Sequence, residues 1–268
     1  MSNPLLSPRA RTIAVSNQKG GVGKTTTTIN LGAAMAAAGR RVLLIDLDPQ
    51  GNASTGLGLM PEKREITAYD VLLEDKPLES AIWRSEVENL HLVPSTVDLS
   101  SADIELMSNE KRSFLLSDAL LPVAASGAYD FILIDCPPSL NLLTVNAMVA
   151  SDAVLVPLQS EFFALEGLSQ LMLTIREIRS TANPKLRIEG VLLTMFDRRN
   201  NLSQQVEADA RANLGDLVFK TIVPRNVRVS EAPSFALPVL QYDPNSTGAK
   251  AYRALAEEIL QRRTSRAA

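Results

Sequence analysis

One cysteine and one histidine in 268 residues leave little scope for thiolate or imidazole chemistry. Cys136 by itself cannot close an internal disulfide or supply the several thiolates of a metal cluster, and with His91 as the sole imidazole a zinc site lacks ligands. Both read as packing residues. Aromatic residues make up only 4% of the chain, and there is no apolar run of the roughly 18 residues that a transmembrane helix requires. The N-terminal stretch MSNPLLSPRARTIAV has no charged segment leading into a long apolar one, so no export signal is expected. Nor does any linker, repeat or low-complexity stretch divide the chain, which reads as one domain over 1–268. What the sequence does have is core-forming material: 46% hydrophobic against 21% charged residues, as in a globular protein with a sizeable core.

The net charge of −3 conceals an asymmetry. Residues 1–175 carry 12 Lys and Arg against 20 Asp and Glu, whereas residues 176–268 carry 15 against 10. A basic final third can present an attractive face to a polyanion even when the whole chain is acidic.

Short apolar runs alternate with longer helical patterns. The runs are TIAVS (12–16), VLLID (42–46), LHLV (90–93), FILID (131–135), AVLVP (153–157), IEGVLLTMF (188–196) and VFKTIV (218–223). Several have no polar alternate face, as in strands covered by helices on both sides. The pattern predicts an α/β fold: a doubly wound, mostly parallel sheet. A softer stretch over 57–89 reads as a surface insertion beside the site. Helices are expected over 166–180, with Leu168, Leu171, Met172, Ile175 and Ile178 as its core face, and over 249–263, with Tyr252, Leu255, Ala256, Ile259 and Leu260 docked on the domain rather than on a membrane.

The strongest chemical signal is QKGGVGKTTT, Gln18 to Thr27, directly after the first strand and opening the first helix. Gly20, Gly21 and Gly23 allow the backbone to turn its N–H groups inward around phosphate oxygens, with Val22 between them and the helix dipole behind. Lys24 is placed to supply a point charge to the outer phosphates, the Thr25 hydroxyl can ligate Mg²⁺, and Thr26 follows in the same turn. Asp135 ends an apolar strand in the manner of a Walker B acid, placed to hold Mg²⁺ through water, and Pro137 and Pro138 stop the strand there.

A P-loop of the usual spacing has glycine at position 18, where this chain has Gln18, and lacks the second lysine, Lys19. The K-G-G-V-G-K-T-T form resembles the deviant Walker A ATPases, the group of ParA, MinD and the nitrogenase iron protein. That resemblance implies ATP and Mg²⁺ as cofactors, with slow hydrolysis stimulated by a partner. It also implies that Lys19 reaches the partner subunit's nucleotide, and that Asp48, at the end of LLIDLD, orients the attacking water and touches the outer metal shell. Asp46 then serves as structural support. The stretches DLDPQGNASTGLG (46–58), VPLQSEFFALEGLSQL (156–171) and VPRNVRVSEAPSFALPVLQYDPNSTGAKAY (223–252) look like the ParA/Soj partition ATPases over nearly the full length. In that family the P-R-N loop holds adenine, which assigns Pro224 and Asn226 to the base.

The same resemblance implies an ATP-dependent homodimer that binds DNA without sequence preference and is released through a ParB-like centromere-binding partner, in the cytoplasm on the nucleoid. Arg198, Arg199, Arg211, Lys220, Arg225 and Arg228 supply candidate phosphate contacts. With about a dozen residues before the first strand, no N-terminal operator-reading helix-turn-helix is expected. A MinD-like membrane-associated positioning ATPase is the alternative, but the tail QRRTSRAA offers no apolar anchor. An iron-protein-like reductase needs two cysteines per subunit, and a metabolite ligase leaves VPRNVRVSEAPS unexplained.

Overall fold

The computed structural model describes residues 9–161 and 164–267. The N-terminal segment 1–8, Phe162 and Phe163 of the 156–171 stretch, the side chains of residues 164–166, and the side chains of the tail beyond Arg262 lie outside the described residues. In chain order the elements are β1 (Arg11–Val15), α1 (Lys24–Ala37), β2 (Val42–Asp46), α2 (Asn52–Gly56), α3 (Ala68–Leu73), β3 (Trp83–Arg84), β4 (Leu90–Val93), α4 (Ala102–Glu105) and α5 (Leu115–Ala125). There follow β5 (Phe131–Asp135), α6 (Leu142–Val149), β6 (Ala153–Gln159), α7 (Ala164–Thr181), β7 (Arg187–Thr194), α8 (Asn201–Leu214), α9 (Val227–Glu231), α10 (Val239–Tyr242) and α11 (Thr247–Ala267).

The sheet runs β3-β4-β2-β5-β1-β6-β7. Every pair is parallel except β3 with β4, so the expected mostly parallel, doubly wound arrangement is present. Alternation explains why its strands are apolar throughout. Ile13, Val15, Leu44, Phe131 and Leu133 point into a core shared with α1 and α11, while Ala14, Leu43, Ile45, Ile132 and Ile134 point into the opposite one beneath α3, α5 and α6. A third cluster joins β6 and β7 to α7 and α8, and takes Leu168, Leu171, Ile175 and Ile178. The stripe on α11 is likewise committed to the core, with Tyr252, Leu255, Ala256 and Ile259 at most 1% exposed.

Two expectations are corrected. VFKTIV (218–223) is not a strand of the sheet; it meets β7 in one isolated bridge, Val191 with Val218, and a second bridge joins the residues that follow each, Phe196 with Pro224. Its amides explain this. Phe219 and Val223 donate to β7 carbonyls, but the N–H groups of Lys220 and Thr221 turn away to the Glu258 carboxylate on α11, both at 2.9 Å. The 57–89 stretch is more than a surface insertion: Leu57, Val71, Leu72, Leu78 and Ala81 are buried, and Trp83–Arg84 adds the antiparallel edge strand.

At the amino ends of the strands, Arg11 of β1 reaches past β6 to form a buried ion pair with Glu189 of β7. Both residues are at most 9% exposed. Such a pair ties three strands together at the end of the sheet away from the phosphate loop.

Candidate functional site

The phosphate loop leaves the carboxyl end of β1 and is fixed from several sides. The buried Asn17 side chain donates to the Pro157 carbonyl at 2.7 Å and accepts from the Lys19 N–H at 3.0 Å. Thr194, at the end of β7, donates its hydroxyl proton to the Val22 carbonyl at 2.8 Å. Gly21 and Gly23 have φ of 74° and 88°, the left-handed region in which a side chain is strained. Gly23 is the residue immediately before α1, so the loop feeds directly into the positive end of that helix.

Lys24 opens α1, is 6% exposed, and donates to the Lys19 carbonyl at 3.0 Å. Burial lowers its pKa, against the opposing pull of Asp135, Cys136 and Asp48. The carboxylates around it come from two adjacent strands. Asp46 and Asp135 are direct neighbours in the β2–β5 register, and both are fully buried. Asp46 accepts from the Ser54 N–H and hydroxyl at 2.9 and 2.7 Å and from the Asp48 N–H at 3.2 Å; burial nonetheless pushes its pKa up to about 6. These bonds are those of a support that shapes the turn bearing Asp48.

Asp48 accepts from the Gln50 N–H at 3.0 Å, so it caps its own turn while also lining the cavity. Asp135 accepts from the Thr28 hydroxyl at 3.1 Å, and burial next to Asp46 raises its pKa well above the usual carboxylate range. Its second oxygen, Oδ2, has no hydrogen-bond partner. A buried carboxylate oxygen left in this state suits a cation or its water shell. Among the described residues no group of three His, Cys, Asp or Glu could hold a metal alone. The donor set therefore fits Mg²⁺, which retains waters and takes substrate phosphates, better than a metal that needs an all-protein cage.

A cavity of about 540 Å³ extends from this loop to the chain after Val223. It is lined by Gly20, Gly21, Gly23, Lys24, Thr25, Thr26, Asp48, Pro138, Pro224, Arg225 and Asn226 from among the residues singled out in the sequence. Val22 is buried behind the loop, Asp135 lies beneath it, and Lys19 stands outside the cavity with its ammonium on Glu161. Asn226 is already engaged: it accepts from the Val229 N–H at 3.3 Å as the cap of α9 and donates to the Thr247 hydroxyl at 2.7 Å. One N–H and one lone pair remain for a ligand. Gln50, Asn52, Thr194, Met195, Val229, Ser230 and Tyr252 also line the cavity. The sequence does not single them out as ligand contacts, because the fold brings them together from four separate segments.

The candidate DNA arginines divide. Arg199 pairs with Asp197 at 3.1 Å, Arg211 with Glu207 at 2.9 Å, and Arg228 with Glu231 at 2.9 Å and Asp243 at 3.4 Å. Arg198 and Arg225 form no ion pair among the described residues and border a second cavity of about 870 Å³ with Arg199 and Lys250. Phe196, Ile222 and Val227 line it with apolar side chains, and the Asp197 carboxylate lines it too. Pro224 and Arg225 line both cavities. Lys250 has no marker in the sequence, since it lies a helical turn into α11 and far along the chain from the arginines.

A family described as an AAA domain matches residues 10–188. The chromosome partitioning protein ParA of Caulobacter vibrioides is 57% identical over 267 residues, covering 100% of this chain and 98% of that one. The sporulation initiation inhibitor protein Soj of Bacillus subtilis is 52% identical over 247 residues, covering 92% and 97%. Among solved structures, a cobyrinic acid a,c-diamide synthase from Mycobacterium smegmatis with bound ADP and magnesium superposes with a TM-score of 0.83 at 37% identity, covering 96% of each chain. No helix among the described residues is long and apolar enough to cross a membrane.

Proposed function

Because the chain belongs to the ParA/Soj partition ATPases, we propose that it is an ATP-driven switch for DNA partition, whose ATP-bound dimer holds DNA without sequence preference and whose hydrolysis, stimulated by a ParB-like partner, lets go. The observation that carries this reading is one continuous cavity joining the phosphate loop and Lys24 to the Asn226 loop, with Asp48 on its wall and the unpartnered Asp135 oxygen beneath.

The residues divide the work. The N–H groups of Gly20 to Thr26 and the Lys24 ammonium hold the phosphates, and Pro224 and Asn226 receive the base. Mg²⁺, when bound, would supply positive charge against the charge that develops on the phosphates. Thr25 and, through water, Asp135 are the groups that would hold it, with Asp48 in the outer shell. Asp48 orients the attacking water, and Lys19 delivers a cation to the nucleotide of a second subunit, as an arginine finger does. The DNA surface is assigned to Arg198, Arg225 and Lys250 rather than to Arg228, Arg199 or Arg211. The latter three would first have to leave exposed carboxylates, a small cost that ranks them second as phosphate contacts.

The commitment of the α11 stripe to the core counts against a MinD-like membrane role. The deciding measurement is DNA retention in a gel shift with ATP, with ADP and without nucleotide. Retention with ATP alone is expected; equal retention in all three, or none at low salt, overturns the partition reading. A synthase of the kind named for the M. smegmatis structure would bind nucleotide without gaining DNA affinity.

A further inference from the structure

We infer that Glu161 is a positioning residue that holds Lys19 inside its own subunit and so sets the protein concentration at which two ATP-loaded subunits close on each other. The inference rests on the reading that Lys19 acts across the dimer. The Lys19 backbone is fixed at both ends, with its N–H on Asn17 Oδ1 and its carbonyl on the Lys24 ammonium, each at 3.0 Å. Only its side chain is left to move, and in the single subunit the ammonium rests on the Glu161 carboxylate.

That carboxylate is itself held. Glu161 stands two residues beyond the end of β6, its N–H donates to the Gln159 carbonyl at 2.8 Å, and its other oxygen accepts from the Gln159 side-chain amide. Lys19 is therefore docked on a placed anion rather than a drifting one.

The pair is also exchangeable. The Lys19 and Glu161 side chains are 39% and 46% exposed, so water screens their attraction and keeps it weak. A triphosphate in a closed, water-poor interface carries several negative charges and attracts the same ammonium more strongly. Closure then trades one carboxylate in cis for phosphates in trans. The cis contact must be given up first, which raises the threshold for closure and keeps isolated subunits from engaging prematurely.

The test compares wild type, Glu161→Gln, Glu161→Asp, Lys19→Ala and the double variant Lys19→Ala/Glu161→Gln. ATP-dependent dimerisation is followed by light scattering across a protein dilution series, with ATP turnover alongside. Glu161→Gln should dimerise at about two- to thirtyfold lower protein concentration than wild type, the range supported by losing one screened ion pair in each of two subunits. The affinity of its isolated subunit for ATP, titrated well below the dimerisation threshold, should not change, because the phosphate loop is untouched. Glu161→Asp, which keeps the charge, should remain near wild type. In the Lys19→Ala background, Glu161→Gln should make no difference, whereas a merely structural role for Glu161 would persist there. An unchanged or higher threshold for folded Glu161→Gln, or an effect that survives the loss of Lys19, overturns the inference. Normal turnover by Lys19→Ala alone would instead reject the trans role; an inactive Lys19→Ala beside a Glu161→Gln indistinguishable from wild type rejects only the holding role.

Discussion

Lys24 is a lysine at 6% exposure, kept there by an acidic surround rather than by a single salt bridge. Its desolvation is offset by Asp135, Asp48 and the Lys19 carbonyl. Lys24→Ala removes the cation and leaves those carboxylates facing one another, so ATP turnover should fall at least about 100-fold, the loss typical of an electrostatic group at developing charge. Steady-state phosphate release checks this, with circular dichroism to show that the variant is folded. Asp48→Ala should separate binding from hydrolysis: the glycines, Lys24 and Thr25 still hold nucleotide while the water loses its orienting carboxylate. Size-exclusion chromatography with ATP should then show more dimer than wild type; monomer alone would count against a hydrolytic role. Lys24, Thr25, Asp135 and the glycines were legible because they sit in two contiguous strings whose spacing is itself the geometry. The double engagement of Asn226 was not, because its partner Thr247 is 21 residues away along the chain.

At the scale of elements, six of the seven runs read as strands are strands, with ends shifted by two residues or fewer. The seventh, VFKTIV, has the β-branched composition of a strand, yet Glu258 takes two of its amides. A carboxylate 37 and 38 residues distant cannot be read from a local pattern. Trp83–Arg84 was missed for the opposite reason, a two-residue edge strand being too short for any periodicity. The start of α11 matters for the base loop, because a Cβ on Gly248 would lie 2.2 Å from Val229 Cγ2 and 3.5 Å from Asn226 Cγ. Gly248→Ala should therefore push α9 away from α11, weakening ATP binding and costing about 1–3 kcal/mol of stability. Nucleotide titration and thermal melting read the two effects separately. At the opposite end of the sheet, Arg11→Met strands the buried Glu189 carboxylate and should cost about 3–5 kcal/mol, with Arg11→Met/Glu189→Leu recovering much of it. A melt of the double variant lower than that of Arg11→Met alone would contradict that account.

For the whole molecule, the charge asymmetry between the acidic first 175 residues and the basic remainder was visible at once, but not which cations are committed to ion pairs. A dimer presenting Arg198, Arg225 and Lys250 twice has six cations for DNA phosphates, so log affinity against log salt should have a slope of about −5. Arg198→Glu/Lys250→Glu should flatten that slope and weaken binding equally on unrelated sequences, while Arg228→Glu should alter it little. Fluorescence anisotropy at several salt concentrations decides between them. The wall formed by Pro224 and Arg225 has one further consequence. Two ligands that press on opposite sides of one loop are thermodynamically reciprocal: whatever factor ATP adds to the affinity for DNA, DNA must add to the affinity for ATP. If the protein holds DNA as proposed, a subunit that lets go of it also loosens its hold on nucleotide, so that the nucleic acid would act as an effector of the ATP site.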